Sequence, residues 1–230
     1  MNILIIQNDP PETLGLYEEY IKTHEPYRLI HAYKMSEEDE FPPIDQYTHF
    51  IIGPTPISAN EILEYNFLTK EWAYLQEIIE SNKPCLGVCC GGQMLAKKMG
   101  GSVLKSPSKE IGGYNVTLTE HGLSDPLFKA FPREFPVFHW HSDMFTLPPR
   151  GKLLATGNPC PIQAFRKNNV WGIIFHLEIT SDDAVRWADA YPDELKDIGK
   201  TREQVIEECK KDEYDMKILS KKLMENFLNQ

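Results

Sequence analysis

Seven residues, Gly87 Val88 Cys89 Cys90 Gly91 Gly92 Gln93, follow directly on the apolar run Pro84 Cys85 Leu86. They read as a strand, a sharp turn that carries a thiol, and the first turn of a helix. Glycines two positions before and after the apex residue let the strand and helix backbones approach closely, as in a nucleophile elbow of the G-x-S-x-G kind. Gly87 and Gly91 hold those two positions around Cys89. A thiol at a helix N-terminus faces unpaired backbone N–H groups and the positive end of the helix dipole, so the thiolate is the expected form. Cys89 is therefore the candidate nucleophile.

A strand-to-helix elbow belongs in a parallel sheet, and the flanking sequence agrees. Ile3 to Ile6, Arg28 to Ala32, Phe50 to Ile52 and Cys85 to Val88 are short apolar runs separated by longer polar segments of helical spacing. This is the pattern of parallel strands covered on both faces. Before the elbow, Leu68, Trp72, Leu75 and Ile79 recur at steps of four, three and four, which predicts one helical face against the sheet. Beyond Gly100 and Gly101 the pattern becomes strand-like, at Val103 to Lys105, Tyr114 to Thr119, Pro136 to Trp140, Lys152 to Thr156, Ile162 to Arg166 and Val170 to Phe175. Thr201 is a helix cap with Glu203 and Gln204 in the following turn, and Met216, Leu219, Leu223 and Phe227 continue that helix as a core face or a dimer seam. The expected fold class is α/β: a doubly wound, mostly parallel sheet with flanking helices and a β-rich antiparallel extension, in one domain over residues 1–230.

Composition narrows the partners. A formal net charge of −10 without a Lys/Arg cluster argues against nucleic acid or an anionic membrane surface as primary partner. Cys85, Cys89, Cys90, Cys160 and Cys209 form an odd set without framework spacing, which points to a reducing compartment. The apolar run at Ile3 to Ile6 is too short for a signal peptide, and no stretch approaches the roughly 18 apolar residues of a membrane span. A cytoplasmic location is the expectation.

A cysteine that transfers acyl groups needs a base, a group that orients the base, and donors for the oxyanion. Gly172 Ile173 Ile174 Phe175 His176 Leu177 Glu178 stands near the end of the last expected strand, where alternation places His176 and Glu178 on one side. In doubly wound sheets ligands sit beyond the carboxyl ends of the strands, so Cys89 and His176 can meet there. The N–H of Cys90 is one natural oxyanion donor. A second comes from Gly53 or Thr55, because Pro54 and Pro56 have no N–H.

These motifs together resemble the class I glutamine amidotransferases of the free-standing type, similar to the glutaminase domain of GMP synthases. The G-[IV]-C-x-G-x-Q elbow of that family is matched by Gly87, Val88, Cys89, Gly91 and Gln93, and its G-x-Q-F-H-P-E signature by Gly172, Phe175, His176 and Glu178. Phe138 His139 Trp140 His141 Ser142 Asp143 resembles the F-H-W-H-G-D segment of stand-alone members, and Gly53 Pro54 the end of the G-G-P oxyanion loop. Ile174, Leu177 and Ile52 depart from the common Gln, Pro and Gly of these motifs.

The resemblance implies Cys89 as nucleophile, His176 as base and acid, Glu178 as orienting carboxylate, and Gly53 with Cys90 as oxyanion donors. It places Gln93, His141, Ser142 and Asp143 near the amino-acid end of a bound glutamine. The implied reaction is hydrolysis of the glutamine side-chain amide through a γ-glutamyl thioester, with ammonia passed to an acceptor or a separate synthetase, and no metal or organic cofactor. A stand-alone γ-glutamyl peptidase would use the same residues, and a catalytically silent binding or regulatory subunit would keep only the fold. The H-x-H-x-D cluster of His139, His141 and Asp143 offers metal-ligand side chains without a fourth ligand. A substrate-contacting loop is the preferred reading.

Overall fold

The computed structural model describes all 230 residues. In chain order the elements are β1 (Ile3–Gln7), α1 (Gly15–His24), β2 (Tyr27–His31), β3 (His49–Ile52), α2 (Asn66–Ser81), β4 (Cys85–Val88) and α3 (Cys90–Lys98). There follow β5 (Val103–Leu118), α4 (Glu120–Leu123), β6 (Glu134–Phe145), β7 (Lys152–Thr156), β8 (Ala164–Lys167), β9 (Val170–Ile173), α5 (Ser181–Ala190), α6 (Pro192–Asp197) and α7 (Arg202–Leu228). All nine strands join one sheet in the order β2-β1-β3-β4-β9-β8-β7-β5-β6. Pairs from β2 to β9 are parallel, and those from β9 to β6 are antiparallel. The α/β class and the antiparallel extension are as the sequence predicts.

Strand alternation sorts the apolar side chains onto two faces. Ile3 and Ile5 pack with Tyr17 of α1, Trp187 of α5 and Phe227 of α7, while Leu4 and Ile6 pack with Leu68 and Leu75 of α2 and Leu95 of α3. Each face would lie open without its helices, which is why the buried strands are apolar over Ile3 to Ile6 and Phe50 to Ile52. On α2 the buried stripe is Leu68, Glu71, Tyr74, Leu75 and Ile78, so the expected stripe is rotated: Trp72 and Ile79 lie half-buried at its edge, and Lys98 lies over the Trp72 ring. Thr201 and Gln204 form a reciprocal capping box that starts α7. That helix spends its apolar face on the core, with Val205, Met216, Leu223 and Phe227 all buried. No helix is long and apolar enough to cross a membrane.

Several strand boundaries differ from the sequence expectation, β2 and β8 by one or two residues and three others with more consequence. The pieces at 103–105 and 114–119 are one strand, β5, with a register shift between Lys105 and Glu110 opposite β6. Pro107 is tolerated there because β7 pairs β5 only at Thr117 and Leu118, which leaves the other edge of this stretch without a ladder to interrupt. The segment expected as Pro136 to Trp140 runs from Glu134 to Phe145 as β6. Strand β9 ends at Ile173, before Phe175, and His176 instead makes an isolated antiparallel bridge with Phe138 of β6.

Candidate active site

Cys89 sits between β4 and α3 with φ 50° and ψ −113°, a region that residues with a Cβ rarely occupy. Such a conformation costs on the order of 1–3 kcal/mol and persists only where its surroundings over-determine it. Here the Cys89 N–H donates to Ile173 O (2.8 Å), and the Gln93 N–H donates to Cys89 O (3.0 Å). The flanking glycines are required by contact rather than by turn type. A Cβ at Gly87 would lie 2.6 Å from Gly91 C and O, and one at Gly91 would lie 2.3 Å from Ile52 O. The strand and the helix touch through bare backbone, which pushes the Cys89 side chain out at the apex.

His176 is held by backbone on both sides, its N–H donating to Phe138 O (2.8 Å) and its carbonyl accepting from the Phe138 N–H (3.0 Å). The edge of Trp187 lies against the ring, with centroids 4.8 Å apart. Nδ1 of His176 is 2.5 Å from Glu178 Oε1, and Glu178 Oε2 accepts from the Leu177 N–H at 3.0 Å. Both carboxylate oxygens are thus occupied in a site closed to water. Nδ1 carries the proton toward Glu178, while Nε2 is buried without a partner and offers a lone pair. Strand β6 ties the two halves together, since Trp140 O lies 3.9 Å from the Cys89 sulfur, two residues along from the Phe138 that pairs with His176.

Burial decides the resting state of the thiol. Cys89 is 6% exposed, and its pKa is pushed well above 9.0 first by desolvation, then by Glu12, the Cys90 thiol and Glu178. The Cys90 N–H facing the sulfur pulls the other way and is outweighed. The thiolate expected from the helix N-terminus is therefore not the resting form, because the dipole of the short α3 cannot replace the lost hydration.

The oxyanion loop also differs from expectation. The Gly53 N–H donates to Ile6 O at 2.8 Å, which commits it to the β1–β3 ladder. It is not free to face a reacting carbonyl. Thr55, the alternative donor between the two prolines, lines the pocket with an N–H that makes no bond inside the protein. The loop is anchored from behind by Asn8, whose Nδ2 donates to Gly53 O (3.2 Å) and to Glu71 Oε1 (3.1 Å).

A cavity of about 280 Å³ opens over Cys89 and Cys90. Gln93, Trp140, His141, Ser142 and Asp143 line it, as do Glu12, Ser58, Lys105, Lys109 and Glu194. His176, Glu178 and Gly53 are not among the residues that line it. Asp143 is the hub of one side: its carboxylate pairs with Lys105 (2.7 Å) and accepts from the Ser58 hydroxyl (2.7 Å), while its carbonyl accepts from Gln93 Nε2 (3.0 Å) and His141 Nδ1 (3.1 Å). The Gln93 amide thus braces the pocket wall, and the Cys90 sulfur turns away to Ile57 O at 3.3 Å.

The sequence pattern described as glutamine amidotransferase class-I matches residues 19–186. The chain belongs to this family. A crystal structure of a glutamine amidotransferase from Thermotoga maritima superposes with a TM-score of 0.90 at 29% identity, over 100% of this chain and 99% of that one. The glutamine amidotransferase-like protein YfeJ of Salmonella typhimurium is 29% identical over 184 residues, 78% of this chain and 77% of the relative. A subunit of the glutamine-hydrolysing GMP synthase of Pyrococcus abyssi is 35% identical over 108 residues, but these span only 46% of this chain and 56% of that relative.

Several groups in the pocket of this class I amidotransferase carry no sequence signal of their own. Glu12 comes from the β1–α1 connection and is buried, with its carboxyl pushed well up by desolvation and by Asp9. Its position beyond the carboxyl end of a parallel strand is the one hint the sequence holds. Lys105 and Lys109 come from the irregular stretch of β5 and Glu194 from α6. The H-x-H-x-D cluster does not converge: Asp143 faces Lys105 and Ser58, His139 is buried with neither ring nitrogen bonded, and His141 Nε2 points to Glu110.

Proposed function

We propose that the chain hydrolyses the side-chain amide of glutamine, with Cys89, His176 and Glu178 as nucleophile, base and orienting carboxylate, and releases ammonia for a separate synthetase. The single observation that carries this reading is the strained Cys89 apex, tied through Trp140 and Phe138 of β6 to a histidine whose Nδ1 is fixed by Glu178 and whose Nε2 is unpaired. Because the thiol rests protonated, attack and proton transfer are coupled. The Cys89 sulfur bonds to the amide carbon as its proton passes to His176 Nε2, and Glu178 stabilises the imidazolium. The Cys90 and Thr55 N–H groups face the oxyanion.

Collapse then breaks the C–N bond, and His176 returns the proton to the departing ammonia, which leaves a γ-glutamyl thioester on Cys89. Water attacks the thioester carbonyl, giving its proton to His176. The C–S bond breaks, His176 reprotonates the sulfur, and glutamate departs. The cavity falls just below the ~300–1,000 Å³ of drug-sized ligand sites, and its lining carries both Lys105 and Lys109 and the carboxylates of Asp143 and Glu194. Paired charges of both signs suit a zwitterionic amino acid.

The test is intact-mass analysis after treatment with a glutamine-derived diazoketone, alongside glutamate release from glutamine and from γ-glutamyl dipeptides. One adduct per chain, absent in Cys89→Ala, with glutamine the faster substrate, is the expected result. Faster cleavage of the dipeptides makes the chain a γ-glutamyl hydrolase. An unlabelled wild type with no turnover overturns the proposal and leaves a silent subunit.

A further inference from the structure

Glu110, His141 and Cys160 bring a carboxylate oxygen, an imidazole nitrogen and a sulfur within 4.8 Å of one another, all on buried residues. They come from three separate segments. Glu110 of β5 and His141 of β6 are direct partners across the antiparallel ladder, so their side chains leave the sheet on the same face. Cys160 reaches them from the connection between β7 and β8, where Gln163 clamps the turn by donating from Nε2 to Cys160 O at 3.1 Å. The hydroxyl of Ser106 stands beside the Cys160 sulfur, whose S–H reaches Ile162 O at 3.6 Å.

The Glu110–His141 contact is at ion-pair distance but misaligned. His141 Nε2 and Glu110 Oε2 are 3.1 Å apart, yet neither completes a hydrogen bond, and both side chains are 1% exposed. A buried polar atom left unsatisfied forfeits its hydration with nothing in return, and Glu110 and His141 each carry one here. The other nitrogen of His141 donates to Asp143 O at 3.1 Å. A backbone carbonyl on Nδ1 that leaves the Nε2 lone pair aimed at a carboxylate and a thiol is the orientation of a metal-ligating histidine.

We propose that Glu110, His141 and Cys160 form a binding site for one zinc-class divalent cation, separate from Cys89. Sulfur and imidazole donors select zinc or cobalt over magnesium and calcium, which take oxygen ligands. On binding, the Cys160 S–H bond breaks and its proton goes to solvent, while the S–metal bond forms. Thiolate and carboxylate together then neutralise the two positive charges. The Ser106 hydroxyl or a water supplies the fourth ligand. Because the carbonyl that holds His141 also holds Gln93, the cation braces the wall of the Cys89 pocket against α3.

The experiment is cobalt titration of the chelator-stripped protein, read by the thiolate-to-cobalt charge-transfer absorption and by metal content. Wild type and Cys89→Ala each bind one cobalt with this band, zinc displaces it, and zinc raises Tm in both. Cys160→Ser loses the band, and Glu110→Gln weakens binding by about 10-fold or more. A band that disappears in Cys89→Ala and survives in Cys160→Ser places the metal on the catalytic thiol and overturns the proposal, as does the absence of any band in wild type. Should Cys160→Ser not fold, zinc X-ray absorption of Cys89→Ala decides. One sulfur at about 2.3 Å supports the site, and a shell of nitrogen and oxygen alone refutes it.

Discussion

Glu178 holds His176 with one carboxylate oxygen at 2.5 Å from Nδ1, and with the other it accepts the N–H of Leu177 at 3.0 Å, so both lone-pair faces are spoken for by donors. Only a carboxylate can accept twice in this position. A primary amide in its place must turn its oxygen either to the ring or to the Leu177 N–H. With the oxygen on the backbone its NH2 faces Nδ1, which forces the proton onto Nε2 and removes the lone pair that would take the Cys89 proton. We expect Glu178→Gln to lower kcat about 10⁴-fold, the scale of a wrong-tautomer histidine, with KM little changed. Steady-state kinetics with glutamine checks this, and a loss below about 10-fold would remove Glu178 from the mechanism.

The buried Cys89 thiol makes a prediction about reactivity. An acid whose pKa is raised above 9.0 remains protonated through the range where ordinary thiols ionise. Alkylation of the free protein by iodoacetamide at Cys89 should therefore keep climbing past pH 9 without a plateau. Glu12→Gln removes the largest nearby charge that opposes the thiolate and should move the profile to lower pH. Peptide mass mapping separates Cys89 from the other four thiols; a plateau near neutral pH would mean a preformed thiolate.

Thr55 supplies a sharper test of the oxyanion loop than Gly53, whose N–H is already given to Ile6 O. Thr55→Pro deletes the one N–H between Pro54 and Pro56 and should cost about 10²–10³ in kcat, as for a lost oxyanion donor. Circular dichroism and Tm verify that the fold is kept. Full activity in a folded variant would show that the second donor lies elsewhere.

Glu71 behind the same loop predicts a pH-dependent stability. Burial raises its carboxyl from 4.5 to about 8, with the Asn8 amide opposing only in part. Between those values the unfolded chain has released a proton that the folded chain retains. Stability is thus fullest below pH 4.5 and falls as pH rises toward 8, by on the order of 4 kcal/mol. Glu71→Gln keeps an oxygen for Asn8 Nδ2 and has nothing to titrate. Urea unfolding at pH 5 and pH 8.5 should show a smaller loss in the variant by about that amount, and equal losses would refute the account.

The elbow is legible in the sequence because its demands are local. Gly87 and Gly91 have to be glycine so that two backbones can touch, and that contact involves residues only a few positions apart or on the neighbouring strand. The apolar runs of β1, β3 and β4 are equally plain, since a strand buried on both faces has no polar side to vary. Hydropathy turns the stripe of α2, because Trp72 and Ile79 are apolar but half-buried while Glu71 is polar and wholly buried. It does not record an acid whose partner, Asn8, lies 63 residues away. For the same reason the Glu12 wall of the pocket and the meeting of Cys160 with Glu110 and His141 have no pattern to betray them.

Short-range pattern is enough for the class I amidotransferase fold and for the cast of candidate side chains, since glycine spacing, apolar period and the paired Cys89 and His176 motifs each act over short stretches of chain. Assembly of the sheet committed the Gly53 N–H to Ile6 O, raised the pKa of the buried Cys89 thiol, and tied His176 to Phe138 beyond the end of β9. Those outcomes depend on burial and on hydrogen bonds between distant segments, and neither exists until the chain has closed around them.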